Sequence, residues 1–181
     1  MSDYYSQTVS REDMRQIAYV IRKKFGYIDK WRIPVERLLD QMCDAFPELS
    51  YEIVPDEEWD DYNTHADTDV IGHSIRIRES IYNGACAGKG RDRMTIAHEM
   101  AHYILICVTG VKLCSRCSRK VKTYNDPEWQ AKCLAAELLI PYYKLIARNK
   151  KPSRDYIAKV CGVSVDAAEY QLQFIVKEGC S

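Results

Sequence analysis

The chain has 181 residues, 46% of them apolar, and its 26 basic side chains balance 26 acidic ones. That length fits one domain with at most a small appendage, and it is enough to bury a core. The balanced charge removes the global electrostatic case for a nucleic-acid binder, leaving open a local basic patch. No apolar run reaches the roughly 18 residues that a membrane helix needs, and the polar stretch from Met1 to Arg11 has no signal-peptide core. A cytoplasmic protein is expected, and in that compartment the eight cysteines are thiols rather than a disulfide framework.

Ser10 followed by Arg11-Glu12-Asp13 reads as a helix N-cap with acids in the first turn, and Met14, Ile17, Ala18, Ile21 and Phe25 keep a helical period until Gly26. A second helix is predicted from about Pro34 to Ala45, with the proline in its first turn. Tyr51 to Val54 reads as a short strand, and Asp56 to Asp69 as acidic, irregular chain. From Ile75 to Arg78 apolar residues alternate, the pattern of a half-buried strand, and Ile71 to Ser74 mark a turn or bulge before it. A short helical or irregular stretch follows through Tyr82 and Cys86, and Gly88-Lys89-Gly90 breaks the chain. A helix from about Arg91 to Cys107, a loop from Lys112 to Asp126, and a helix from Pro127 that Pro141 ends complete the central part.

Near the C-terminus, Tyr156 to Tyr170 reads as helix, turn at Gly162, Ser164 cap, helix, a rhythm similar to a helix-turn-helix. The second of these helices carries Asp166 and Glu169 and has no basic residue before Lys177, which argues against a reader of the DNA major groove. The expected fold class is α+β, mostly helical, with a small β-sheet. The main domain is expected over residues 1–150, and residues 151–181 as a C-terminal helical extension packed on it.

The strongest chemical signal is His98-Glu99-Met100-Ala101-His102, an H-E-x-x-H. Positions i and i+4 of a helix lie one above the other, so two imidazoles at this spacing can grip one metal ion. Glu99 points elsewhere, within reach of a water beside that metal. The flanking segments, Met94 to Ala97 and Tyr103 to Ile106, are strongly apolar. A solvated face would be written in Lys and Glu, so these histidines sit on a packed helix and need partners, either a metal or a core hydrogen bond.

Two histidines do not complete a catalytic zinc site, which takes three protein ligands. Glu128, 26 residues after His102, is the best-placed third ligand. Asp126-Pro127-Glu128 reads as N-cap, proline at the first helical position, and an acid in the first turn. Ala131, Ala135 and Ala136 on the same helix are small enough for close approach of another helix. Glu137 is the alternative, and Glu128 could instead serve only the helix dipole.

Arg91 to Tyr103, with its H-E-x-x-H, followed by Glu128-Trp129-Gln130-Ala131-Lys132-Cys133-Leu134-Ala135-Ala136-Glu137-Leu138-Leu139-Ile140-Pro141, resembles the paired motifs of the ImmA/IrrE family of metallopeptidases. Met94, Ala101, Lys132 and Leu134 depart from the Phe, Gly, Asn and Phe of those motifs. The resemblance implies a zincin-like metallopeptidase domain with one Zn²⁺ per chain, held by His98, His102 and Glu128, and Glu99 as the general base. It implies an endopeptidase of narrow specificity. Members are often encoded on mobile elements beside helix-turn-helix repressors, and some cleave that repressor, so a transcriptional repressor is the expected protein partner. Membrane association and direct nucleic-acid binding are not expected. The competing reading is a catalytically silent or sensor-type regulatory protein that keeps the fold and the metal.

Three further features stay open at this level. Tyr103, His73 and Tyr124 are candidates to stabilise an oxyanion. A peptide substrate is expected to pair near the Ile75 to Ile77 strand, if that strand edges the cleft. Cys114 and Cys117 form a C-x-x-C among basic residues, readable as loop thiols, a redox pair or half of a metal site.

Overall fold

The computed structural model describes residues 4–59, 64–115, 123–148 and 152–178. The N-terminal helix, α1 (Arg11–Lys24), starts at Ser10 with a reciprocal capping box. Asp13 N–H donates to the Ser10 hydroxyl at 3.1 Å, and Ser10 N–H donates back to the Asp13 carboxylate at 2.9 Å. The chain leaves this helix at Gly26 in a left-handed conformation, with φ of 78°. Helix α2 (Val35–Ala45) follows Pro34 and buries Val35, Leu38, Leu39 and Met42.

A three-stranded sheet comes next in the chain. Strands β2 (Ser50–Val54) and β4 (Ser74–Arg78) run parallel, while β3 (Ala66–Asp69) pairs antiparallel with β4. The spatial order is β2-β4-β3, so the strand carrying Ile75 and Ile77 is central and β3 forms an edge. This corrects the expectation that Ile75 to Ile77 edges the cleft. The alternating period is as expected, with both isoleucines fully buried, but a period of two reports which face is buried and says nothing of lateral position. The expected irregular stretch contains strand β3, whose Ala66-Asp67-Thr68-Asp69 has no apolar alternation. It is a strand because its backbone completes β4, with Thr68 opposite Ile75.

Helices α3 (Glu79–Cys86) and α4 (Gly90–Tyr103) follow, and a single π-helical turn, Ile104–Val108, continues α4. A second, two-stranded sheet pairs β1 (Tyr4–Ser6) with β5 (Leu113–Ser115) in antiparallel register. The start of the expected loop after Lys112 is thus a strand, held by the polar N-terminal segment. Helix α5 (Pro127–Leu139) has the expected Asp126 cap and Pro127 in its first turn. The short α6 (Tyr142–Ile146), then α7 (Arg154–Cys161) and α8 (Val165–Glu178), complete the chain.

Helix α4 is the pivot of the fold. It packs along α5 and α3 and touches β3. Its Ile96, Ala97 and Ala101 are fully buried, as are Ala131 and Ala135 on α5. Small residues on the facing helices let the two axes approach closely. The α7–α8 pair is tied to the start of α4. A Cβ on Gly90 would lie 2.6 Å from backbone atoms of Val163 and Ser164, and the buried Arg93 donates to the Cys161 carbonyl at 2.9 Å. Among the described residues no helix is long and apolar enough to cross a membrane.

Candidate metal centre

One helical turn separates His98 from His102, and the two rings stand at 90° with centroids 4.6 Å apart. Their Nε2 atoms face each other at 3.1 Å. Glu128 reaches them from the first turn of α5. Its Oε2 lies 3.2 Å from His98 Nε2, and its Oε1 lies 3.4 Å from His102 Nε2. The Asp126 carboxylate accepts from Glu128 N–H at 3.0 Å, which fixes the turn that aims this side chain. The hydrogen bonds with His102 and then His98 hold the Glu128 carboxyl well below the usual carboxylate range.

The donor set suits a metal. One ligand atom from each of His98, His102 and Glu128 lies within 4.8 Å of the others. Ligands bound tetrahedrally at about 2.0–2.1 Å are separated from one another by about 3.3 Å. The contacts between donors, from 3.1 to 3.4 Å, already match that spacing. Neutral imidazole nitrogens and a carboxylate oxygen are also the ligand types that zinc takes. His98 and His102 are mostly buried, whereas Glu128 is 46% exposed, so the triad opens to solvent on the α5 side.

Glu137, the other acid on α5, faces elsewhere. It is 1% exposed, its Oε1 is 3.1 Å from Arg11 and 3.5 Å from Arg15, and it binds α1 to α5. A second cleft of about 330 Å³ lies beside Arg15, Glu137 and Tyr142, away from the histidines.

The triad lines a cleft of about 430 Å³ together with Glu99, Thr68 and Asp67. Glu99 is buried at 8% exposure. The Thr68 hydroxyl donates to Glu99 Oε2 at 2.7 Å and also lies 3.2 Å from the Glu99 carbonyl oxygen. Sequence reading did not single out Thr68, because its place depends on the unforeseen strand β3. The three oxyanion candidates fall outside this lining. Tyr103 is fully buried on the far side of α4, against Phe46 and His73. His73 takes a left-handed φ of 53° and meets Tyr103 edge-on. Tyr124 is 44% exposed in the short turn before α5. Of the C-x-x-C, Cys117 lies outside the described residues, and only the backbone of Cys114 is described, opposite Tyr5.

A helix bearing H-E-x-x-H, a carboxylate from the next long helix, and a sheet whose edge strand borders the same cleft form the layout of a metallopeptidase. The chain belongs to the IrrE N-terminal-like domain family, the M78 peptidases, whose profile matches residues 55–173. A comparison with curated proteins finds no match. The matched span runs from the end of β2 into α8, so it includes the whole triad and most of the C-terminal helical pair.

Proposed function

We propose that the protein is a zinc-dependent endopeptidase of narrow specificity. His98, His102 and Glu128 hold the metal, and Glu99 is the catalytic general base. The observation that carries this reading is the convergence of two imidazole nitrogens and one carboxylate at contacts of 3.1 to 3.4 Å, with a buried glutamate in the same cleft. A zinc ion held by these three residues would lower the pKa of water toward neutrality and polarise the scissile carbonyl. Coordination through Nε2 requires both imidazoles to be neutral, with the ring proton on Nδ1. Glu99 takes the proton from the attacking water and delivers it to the leaving amine, so the carboxylate returns to its starting state.

The substrate is a protein segment in extended form. Strand β3 is paired on one side only among the described residues, and its Ala66, Asp67 and Thr68 border the cleft. A peptide can add to that edge as a further strand and so present a bond beside the triad. The family's association with helix-turn-helix repressors makes such a repressor the substrate we propose, its cleavage releasing transcription. The buried glutamate favours this reading over a silent binding protein, because a scaffold has no need of a general base in a metal-ligand cleft.

The test is digestion of a diverse peptide library by zinc-loaded protein, read by mass spectrometry. The wild type is expected to cut a restricted set of bonds. Glu99→Gln, with unchanged zinc content, is expected to cut about 10²–10⁴-fold more slowly. Equal cleavage by the variant overturns the role of Glu99, and no cleavage by the wild type favours the silent protein.

A further inference from the structure

We propose that Thr68 is a positioning residue for Glu99, and that strand β3 thereby fixes the general base and the substrate to one frame. This rests on the metallopeptidase reading of the cleft. The Thr68 hydroxyl has a single hydrogen and two acceptors nearby, Glu99 Oε2 at 2.7 Å and the Glu99 carbonyl oxygen at 3.2 Å. The carbonyl lies inside α4, where carbonyls accept helix hydrogen bonds. The carboxylate oxygen is also the closer acceptor, so it takes the hydrogen.

A glutamate has three rotatable bonds, and a general base with free rotamers spends much of its time away from the reacting water. Thr68 removes that freedom at one oxygen. Oε2 is held by the hydroxyl, which leaves Oε1 for the proton. The anchor itself is stiff. Threonine is branched at Cβ and restricted at χ1, and its backbone is fixed in register opposite Ile75, which is fully buried. The same strand, unpaired on its other side among the described residues, borders the cleft. A peptide that pairs with β3 is therefore placed by the element that places the carboxylate. Any shift of β3 moves both together, which preserves the distance between base and scissile bond.

The experiment is titration of acetohydroxamate into zinc-loaded protein, followed by calorimetry. A hydroxamate chelates the metal and gives its hydroxyl hydrogen to the base, so its affinity reads the carboxylate's position without turnover. Thr68→Val keeps the shape of the side chain and removes the hydroxyl, and Thr68→Ala is the second deletion should the valine variant misfold. Either variant is expected to retain one zinc and bind about tenfold more weakly, while Thr68→Ser stays within about threefold of the wild type. Glu99→Gln is expected to weaken binding at least as far, and Thr68→Val added to Glu99→Gln to cost nothing more.

Glu99→Gln weakened with Thr68→Val unchanged overturns the proposal alone. So does an equal cost of Thr68→Val in both backgrounds, or Thr68→Ser failing as badly as Thr68→Val. Glu99→Gln binding like the wild type, or a wild type that binds neither zinc nor hydroxamate, overturns it through the reading on which it rests.

Discussion

Arg93 on α4 and Gly162 at the end of α7 lock the C-terminal helices to the helix that bears the H-E-x-x-H. The Arg93 guanidinium is 1% exposed and donates to the carbonyls of Gly162, Cys161 at 2.9 Å and Ile33 at 2.6 Å. Burial pushes its pKa down to about 10, so it remains charged at neutral pH. Gly162 has a φ of 65°, and a side chain there would run into the guanidinium. Lysine cannot reproduce a planar fork that serves three carbonyls. Arg93→Lys is expected to lower unfolding stability by about 2–4 kcal/mol, measured by urea denaturation. Gly162→Ala is also expected to destabilise, and the double variant to lose less than the sum, since both disturb one contact.

The two acids of α5 are expected to separate cleanly on mutation. Glu137→Ala leaves Arg11 and Arg15, with side chains only 11% and 7% exposed, without the carboxylate they share. It is expected to cost about 3 kcal/mol or more of stability while the zinc stoichiometry holds. Glu128→Ala is expected to do the reverse. It abolishes tight zinc binding, and because the side chain is 46% exposed the metal-free protein keeps its stability within about 1 kcal/mol. Zinc content by mass spectrometry and denaturation of both variants check the pair together.

Alkaline pH is expected to loosen the core through specific groups. Burial pushes the Cys133 thiol up to about 11 and the Cys161 thiol up to about 12, from an ordinary 9.0. Burial, with Glu48 nearby, pushes Tyr103 up to about 12 from an ordinary 10.0. In each case the folded-state pKa exceeds the unfolded one. As pH rises past 9 the unfolded chain releases these protons first, so stability is full below pH 9 and declines toward pH 12. The same burial makes these thiols inert. At pH 8 in the native state, a thiol reagent is expected to label exposed Cys86 and to spare Cys133 and Cys161. Peptide mapping after a short pulse reads the outcome.

Local grammar explains what the sequence could reveal. The i, i+4 histidines, the Asp126-Pro127 cap that aims Glu128, and the Ser10 N-cap are each written within a few residues, and each is found as expected, the Ser10 cap with a return bond from Asp13 that makes it a capping box. Strand β3 is different. Asp67 and Asp69 flank Thr68, and only the long-range pairing with β4 makes the segment a strand. The contact from Thr68 to Glu99, 31 residues away, was therefore invisible, as was the edge position of β3. Lateral order in a sheet depends on tertiary packing, which no period of apolar residues encodes. The strand β5 was missed for a similar reason, since Leu113 to Ser115 is ordered by Tyr4 to Ser6 from the other end of the chain.

The assignment of one zinc ion to His98, His102 and Glu128 is tested by bound metal per chain in the wild type and in His102→Ala, purified side by side. About one zinc is expected in the wild type and a near-complete loss in the variant, since removing one of three ligands opens the site. No zinc in either protein after supplementation would contradict it. Zinc that survives His102→Ala would also contradict it and move the metal to the cysteines.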